Sequence, residues 1–230
     1  MDTVTSFLLE PYRTYDTGQI LLETLAALLG VASTYFSTQR NIWVYPTGIV
    51  STGIYIYLLF VFSLYGDMLI NVYYTSMSIY GWILWGKATT DDETHVDVMR
   101  MTKKEMGIGA VLFVFSVLLV LGIYYYRPVI QHNFDLSFMN EVGFYYTHID
   151  FIDAGLTATF LIGMWLMARR KLESWYFWII GDVVAIVLFL IKGLGITSLQ
   201  YIVFLALSIV GYYGWKQQIR SQELGLSKAG

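Results

Sequence analysis

Seven stretches of about twenty mostly apolar residues follow one another along this chain, and no other feature constrains its fold as strongly. They fall at about 19–38, 42–64, 67–86, 106–126, 151–168, 174–194 and 198–216. Each is long enough for a helix that crosses a ~30 Å hydrocarbon core. The breaks are STQRN at 37–41, LYGD at 64–67, a charged loop at 87–105, a longer loop at 127–150, ARRKLE at 168–173 and GLGITS at 193–198. Pro46 belongs to the first turns of the second span, where a missing N–H costs little. The long loop opens on Arg127 and Pro128 and has room for a short interfacial segment. Composition agrees: 57% of the residues are hydrophobic and 13% charged, too little polar surface to cover a soluble chain. The expectation is an all-α integral membrane protein with seven transmembrane helices.

Lys and Arg set the orientation. With seven spans the chain ends lie on opposite sides, which puts Arg13, Arg127 and Lys192 on one side and the other eleven cations on the second. That second, cytoplasmic side carries Arg40, Lys87, Arg100, Arg169, Arg170 and the C-terminus, and the N-terminus lies outside. The start MDTVTSFLLEPYRTYDTG lacks the basic and apolar blocks of a cleavable signal, so the first span is the expected targeting signal. There is no cysteine, which excludes disulfides and thiolate metal sites. No cofactor and no nucleic-acid partner is expected. The expected location is the cell (inner) membrane, with the lipid bilayer as solvent, and a homo-oligomer is left open.

Sliding the chain against itself by 130 residues aligns the first three spans with the last three without a gap. Glu23 meets Asp153, Arg40 meets Arg170, and SIYGWILW at 78–85 meets SIVGYYGW at 208–215. The triplets begin four spans apart and so run in the same direction, with the fourth span as connector. This predicts a 3+1+3 parallel repeat, an architecture of transporters whose substrate sits near the midplane between repeats. The expected parts are an N-terminal extracytoplasmic segment (1–18), a first three-helix repeat (19–86), a connector with the fourth helix (87–150), a second three-helix repeat (151–216) and a cytoplasmic tail (217–230).

One acid stands inside the sixth span, in ESWYFWIIGD at 173–182. Asp182 lies about 14 Å along a helix starting near Glu173, at ~1.5 Å per residue, close to mid-membrane. An acid there costs about 3 kcal/mol and normally faces a polar cavity or a partner. The basic residues all lie at the membrane edges, which leaves a cationic substrate, a proton or water as that partner. Trp175 and Trp178 share the face of Asp182 at i, i+3 and i+7, where their rings could stack on a flat ring or face a cation. The other reading of these tryptophans is an aromatic belt at headgroup level. In the third span Asn71, Thr75, Ser78 and Trp82 follow a helical stripe with Tyr74 beside it; the other reading is helix packing through small and polar residues. Gln200, early in the seventh span, is a further candidate.

Other function classes fit poorly. A retinal protein needs a Schiff-base lysine in its last helix, and 198–215 has none. His95, His132 and His148 are all expected in loops, and no His-x-x-x-His, Gly-x-Ser-x-Gly or phosphate-loop spacing occurs, so an enzyme is not expected.

The pattern Trp175-x-x-Trp178-x-x-x-Asp182, with Glu173 before it and Ile-Tyr-Gly-Trp at 79–82, resembles the PnuC-type vitamin transporters over roughly residues 19–217. Members of that family carry nicotinamide riboside and, in related branches, thiamine or riboflavin. The resemblance implies a SWEET-like pair of three-helix bundles and substrate contacts from Trp175, Trp178 and Asp182, with Asn71, Tyr74, Ser78 and Gln200 as further candidates from the residues. It also implies facilitated diffusion, with a cytoplasmic kinase trapping the product by phosphorylation. Asp182 replaces the Asn of many riboside carriers, and a carboxylate also suits the thiazolium of thiamine. Nicotinamide riboside ranks first and thiamine second, with a proton-coupled carrier as the rival mechanism.

Overall fold

The computed structural model describes residues 16–62, 65–88, 95–131, 146–191 and 195–229. Its helices are α1 (Thr17–Thr38), α2 (Val44–Val61), α3 (Tyr65–Gly86), α4 (Lys103–Tyr125), α5 (Arg127–Gln131), α6 (His148–Ala168), α7 (Ser174–Ile191) and α8 (Gly195–Ala229). The described residues contain no strand, only the isolated bridges Asn41–His95 and Met99–Lys171. Six of these helices are long and apolar enough to cross a membrane. The exception among the long helices is α3, where Asp67, Asn71, Thr75, Ser76 and Ser78 dilute an otherwise apolar run.

Capping explains three helix starts. Asp16, Thr102 and Thr147 are N-caps whose side chains accept backbone N–H groups, and Gln19, Glu105 and Asp150 at N3 complete capping boxes. His148 opens α6 instead of lying in a loop, because Thr147 caps a helix that starts three residues before the expected span at 151. His95 does lie outside the helices. Arg13, His132 and Lys192, as well as most of the loop 127–150, fall outside the described residues. The segment 217–229 continues α8 as helix.

The long helices pack in two chain-ordered sets. Helix α1 packs on α2 and α2 on α3; α6 packs on α7 and α7 on α8. Across the sets, α1 meets α8 and α3 meets α6, a pattern unchanged when the two sets are exchanged. Local geometry repeats at the same spacing. A Cβ added to Gly81 would overlap the Tyr45 ring, and one added to Gly211, 130 positions on, would overlap the ring of Trp175. Only glycine admits an aromatic ring this close to a helix backbone. Trp85 and Trp215 are both fully buried and meet at 6.1 Å between ring centroids.

Residues 95–101 tie the two sets together at the end that carries Arg40 and Arg170. The Val96 N–H donates to the Arg40 carbonyl at 3.1 Å, and the Met99 N–H donates to that of Arg170 at 2.9 Å. The Leu172 N–H donates back to Met99 at 2.9 Å, and the Met101 N–H to Glu173 Oε2 at 2.8 Å. Val96 and Val98 are buried in one cluster with Tyr45, Trp85, Trp175 and Trp215. Beside it, Glu105 receives Arg169 Nη2 at 2.9 Å and Lys171 Nζ at 3.0 Å, which anchors the start of α4 to the end of α6.

Candidate functional site

Above that cluster, between the two sets, lies a cavity of about 210 Å³. All six helices of the two sets line it. From α7 come Trp175, Trp178 and Asp182, the three residues at i, i+3 and i+7. Phe160, Met164 and Met167 enter from α6, and Tyr201, Phe204 and Ser208 from α8. The opposite wall is built of smaller groups: Gly30, Ser33, Thr34 and Ser37 on α1, Val44, Tyr45, Gly48, Ser51 and Thr52 on α2, and Tyr74 and Ser78 on α3.

The two walls differ in chemistry. Phe160 stacks on Trp178 with centroids 5.5 Å apart and on Tyr201 at 5.8 Å, making a continuous aromatic face. Facing it, Thr52 and Thr75 share a hydrogen bond of 2.6 Å, Ser51 Oγ donates to the Ala26 carbonyl at 2.8 Å, and Ser33 Oγ donates to that of Val44 at 2.7 Å. These bonds hold α1, α2 and α3 together and leave hydroxyl oxygens along the cavity.

Asp182 is 1% exposed, and Ser208 Oγ donates to its Oδ2 at 3.0 Å. One hydroxyl satisfies one lone pair of a group with about four acceptor sites, so most of the carboxylate's capacity is left for whatever occupies the cavity. Burying a carboxylate with so little compensation is costly. Three side chains of the lining also bury a polar atom with no hydrogen-bond partner among the described residues: Tyr45 OH, Trp175 Nε1 and Trp178 Nε1. The site thus holds one under-satisfied acceptor beside an aromatic wall, and the polar ends of Tyr45, Trp175 and Trp178 are packed against Gly81, Gly211 and Gly163.

Five of the seven candidates from the sequence meet in this cavity: Trp175, Trp178, Asp182, Tyr74 and Ser78. Trp175 is 1% exposed, which places it in the core and not in an aromatic belt. Asn71 and Gln200 are not in the lining. Asn71 Nδ2 donates to the Asp67 carbonyl one turn back at 3.0 Å, and Gln200 stands beside the Tyr55 hydroxyl. Trp82, in the stripe of the third span, is 45% exposed and not in the lining. Sequence reasoning missed Ser208, Tyr45, Phe160, Tyr201 and the hydroxyls of α1 and α2. Ser208 and Tyr45 were within reach, since they stand 130 positions from Ser78 and Trp175. Nothing in the sequence distinguishes Phe160 or Tyr201 from the other aromatic residues of their spans.

Residues 20–217 match the family model described as nicotinamide mononucleotide transporter. The chain is 23% identical over 211 residues to the nicotinamide riboside transporter PnuC of Escherichia coli, covering 87% of each. It is 24% identical over 206 residues to the protein of that name from Neisseria mucosa, covering 86% of this chain and 73% of the relative. The riboflavin/roseoflavin transporter RibM of Streptomyces davaonensis is 20% identical over 207 residues, covering 90% and 89%. Among solved structures, the crystal structure of the vitamin B3 transporter PnuC superimposes with a TM-score of 0.64 at 20% identity, covering 95% of this chain and 91% of that one.

Proposed function

This chain belongs to the nicotinamide mononucleotide transporter family, a family of multi-pass membrane transporters and not of enzymes, and from that premise we propose that it carries nicotinamide riboside across the cell membrane. The observation that carries the choice of ligand is the convergence of Asp182, Trp175 and Trp178 on one cavity between the two helix sets. Nicotinamide riboside has a flat pyridinium ring, so an aromatic face supplies stacking and cation–π attraction, and the carboxylate supplies a counter-charge.

In this reading α3 is the seventh crossing. Its polar residues Tyr74, Thr75 and Ser78 turn toward the neighbouring helices and the cavity, which is why its sequence is less apolar. The two sets are then parallel repeats, 19–86 and 151–216, with α4 as connector and a SWEET-like relation between halves. The shared glycine, tryptophan and Arg40/Arg170 geometries support this, as does the exchange symmetry of the helix contacts. The eleven-to-three distribution of cations supports a cytoplasmic C-terminus. Among the described residues no Lys or Arg lines the cavity, so a bound cation meets no like charge from them.

Transport is by facilitated diffusion, with uptake drawn forward when a cytoplasmic kinase phosphorylates the product. Proteoliposomes holding the purified chain and no ion gradient should equilibrate labelled nicotinamide riboside. Equilibration that appears only when a proton gradient is imposed would replace this mechanism with a proton-coupled one.

A further inference from the structure

Pairing the cavity residues at the 130-residue spacing sets Trp178 against Gly48 and Phe160 against Gly30. The second set fills its side with two stacked rings; the first places glycines at the same points. The lining therefore differs between the two sets, with rings on the side of α6 and α7 and glycines on the side of α1 and α2. Gly48 lies in the second turn of α2 with ordinary helical backbone, so space and not backbone freedom is what its missing side chain provides. That space is bounded by hydroxyls. A Cβ on Gly48 would stand 3.0 Å from Ser33 Oγ and 3.6 Å from Ser78 Oγ.

We propose that Gly48 is the specificity-determining residue of this cavity: it keeps open a hydroxyl-lined niche for a hydroxylated substituent of a ligand whose cationic ring lies against Trp178 and Asp182. The proposal rests on the transport reading above and adds to it which part of the ligand is selected, and by what. Ser33 already donates its proton to the Val44 carbonyl at 2.7 Å, so toward the niche it presents only lone pairs. Such a wall rewards a ligand that brings O–H donors. A bare cationic ring gains the aromatic face and Asp182 but nothing from the niche. A methyl group at position 48 removes the room and pushes into the Ser33 hydroxyl, since the Ser33 side chain is held by its bond to α2 and yields little.

The test compares two probes on the purified full chain in detergent by calorimetry. One is nicotinamide riboside; the other is 1-methylnicotinamide, the same cationic ring with a methyl group in place of the sugar. Gly48→Ala should weaken riboside binding about tenfold, and change 1-methylnicotinamide binding by at most about twofold. Ser78→Ala, which removes a hydroxyl and adds no bulk, should weaken the riboside alone by about fivefold. It keeps the comparison valid if Gly48→Ala does not fold. Equal losses for both probes, or no loss for the riboside, overturn the niche while leaving the transport reading intact. Wild-type protein that binds neither probe overturns the transport reading, and the niche with it.

Discussion

Arg40 and Arg170 stand 130 positions apart and hold the same left-handed backbone, with φ of 59° and 60°. Each ends a helix. The Arg40 N–H donates to the Ser37 carbonyl at 3.0 Å and the Asn41 N–H to that of Phe36 at 2.9 Å; the Arg170 and Lys171 N–H groups make the same bonds to Met167 and Leu166 at 2.9 and 3.0 Å. This is the paired-bond helix stop that normally uses glycine. Both carbonyls then accept from the segment 95–101, so the strained residue sits where each helix set is tied to the linking segment.

A non-glycine residue in this region costs about 1 kcal/mol. Arg40→Gly should therefore keep or raise the thermal unfolding temperature in detergent. Arg40→Val, β-branched and poorly tolerated at positive φ, should lower stability by about 2 kcal/mol. A valine variant as stable as wild type would show that the backbone at position 40 is not held in this conformation.

Gly211 and Gly81 each let an aromatic ring lie against the helix backbone. With Cβ on Gly211 overlapping the Trp175 ring, Gly211→Ala forces Trp175 out of a fully packed position, costing about 1–3 kcal/mol. Because Trp175 also lines the cavity, ligand affinity should fall together with the unfolding temperature. Gly81→Ala pushes on Tyr45 in the same way. Combining Gly211→Ala with Trp175→Phe removes the larger part of the overlap and should restore stability but not affinity. If the double variant is no more stable than Gly211→Ala alone, the close approach is not the source of the loss.

The helices, their order and the acid-and-tryptophan face were legible in the sequence because each rests on a local pattern. An apolar run of fixed length marks a crossing, and spacing of three and four puts Trp175, Trp178 and Asp182 on one face. The rest of the site was not local. Ser208 reaches Asp182 only because α8 packs on α7, and Phe160 becomes a wall only because Trp178 stacks on it. Asn71 fits the helical stripe as well as Ser78 does, yet its side chain turns back to the Asp67 carbonyl, a choice that periodicity does not encode. The linking role of 95–101 was invisible for the same reason: Val96 and Val98 look like a short stretch of a charged loop until Trp85, Trp175 and Trp215 surround them.

Glu105 provides a stability test away from the cavity. It is 6% exposed and faces both Arg169 and Lys171, and Lys171 is itself 5% exposed. Glu105→Ala leaves Lys171 buried next to Arg169 without its carboxylate, which should cost about 3–5 kcal/mol. Glu105→Gln keeps the shape and part of the hydrogen bonding, and should cost less. Unfolding followed by tryptophan fluorescence in detergent measures both. A loss below about 1 kcal/mol for alanine would mean that the pairs behave like solvent-exposed ones.

Asp182 and Ser208 separate charge from hydrogen bonding in the proposed site. Asp182→Asn keeps an oxygen that can accept from Ser208 and removes the negative charge. If the carboxylate meets its ligand as a counter-ion, this variant should bind nicotinamide riboside about tenfold more weakly or worse, a loss of about 1.4 kcal/mol or more. If the contact is only a hydrogen bond, affinity should stay within about threefold. Asp182→Ala removes both kinds of contact and strands the Ser208 hydroxyl, so it should bind most weakly of the three. Ser208→Ala takes away the one donor to the Asp182 carboxylate among the described residues and frees it to move, which should weaken binding less than either change at 182. Riboflavin has no cationic ring, so any binding of it should respond little to Asp182→Asn. Calorimetry on the four proteins gives the order directly, and unchanged riboside affinity in Asp182→Ala would remove this residue from the site.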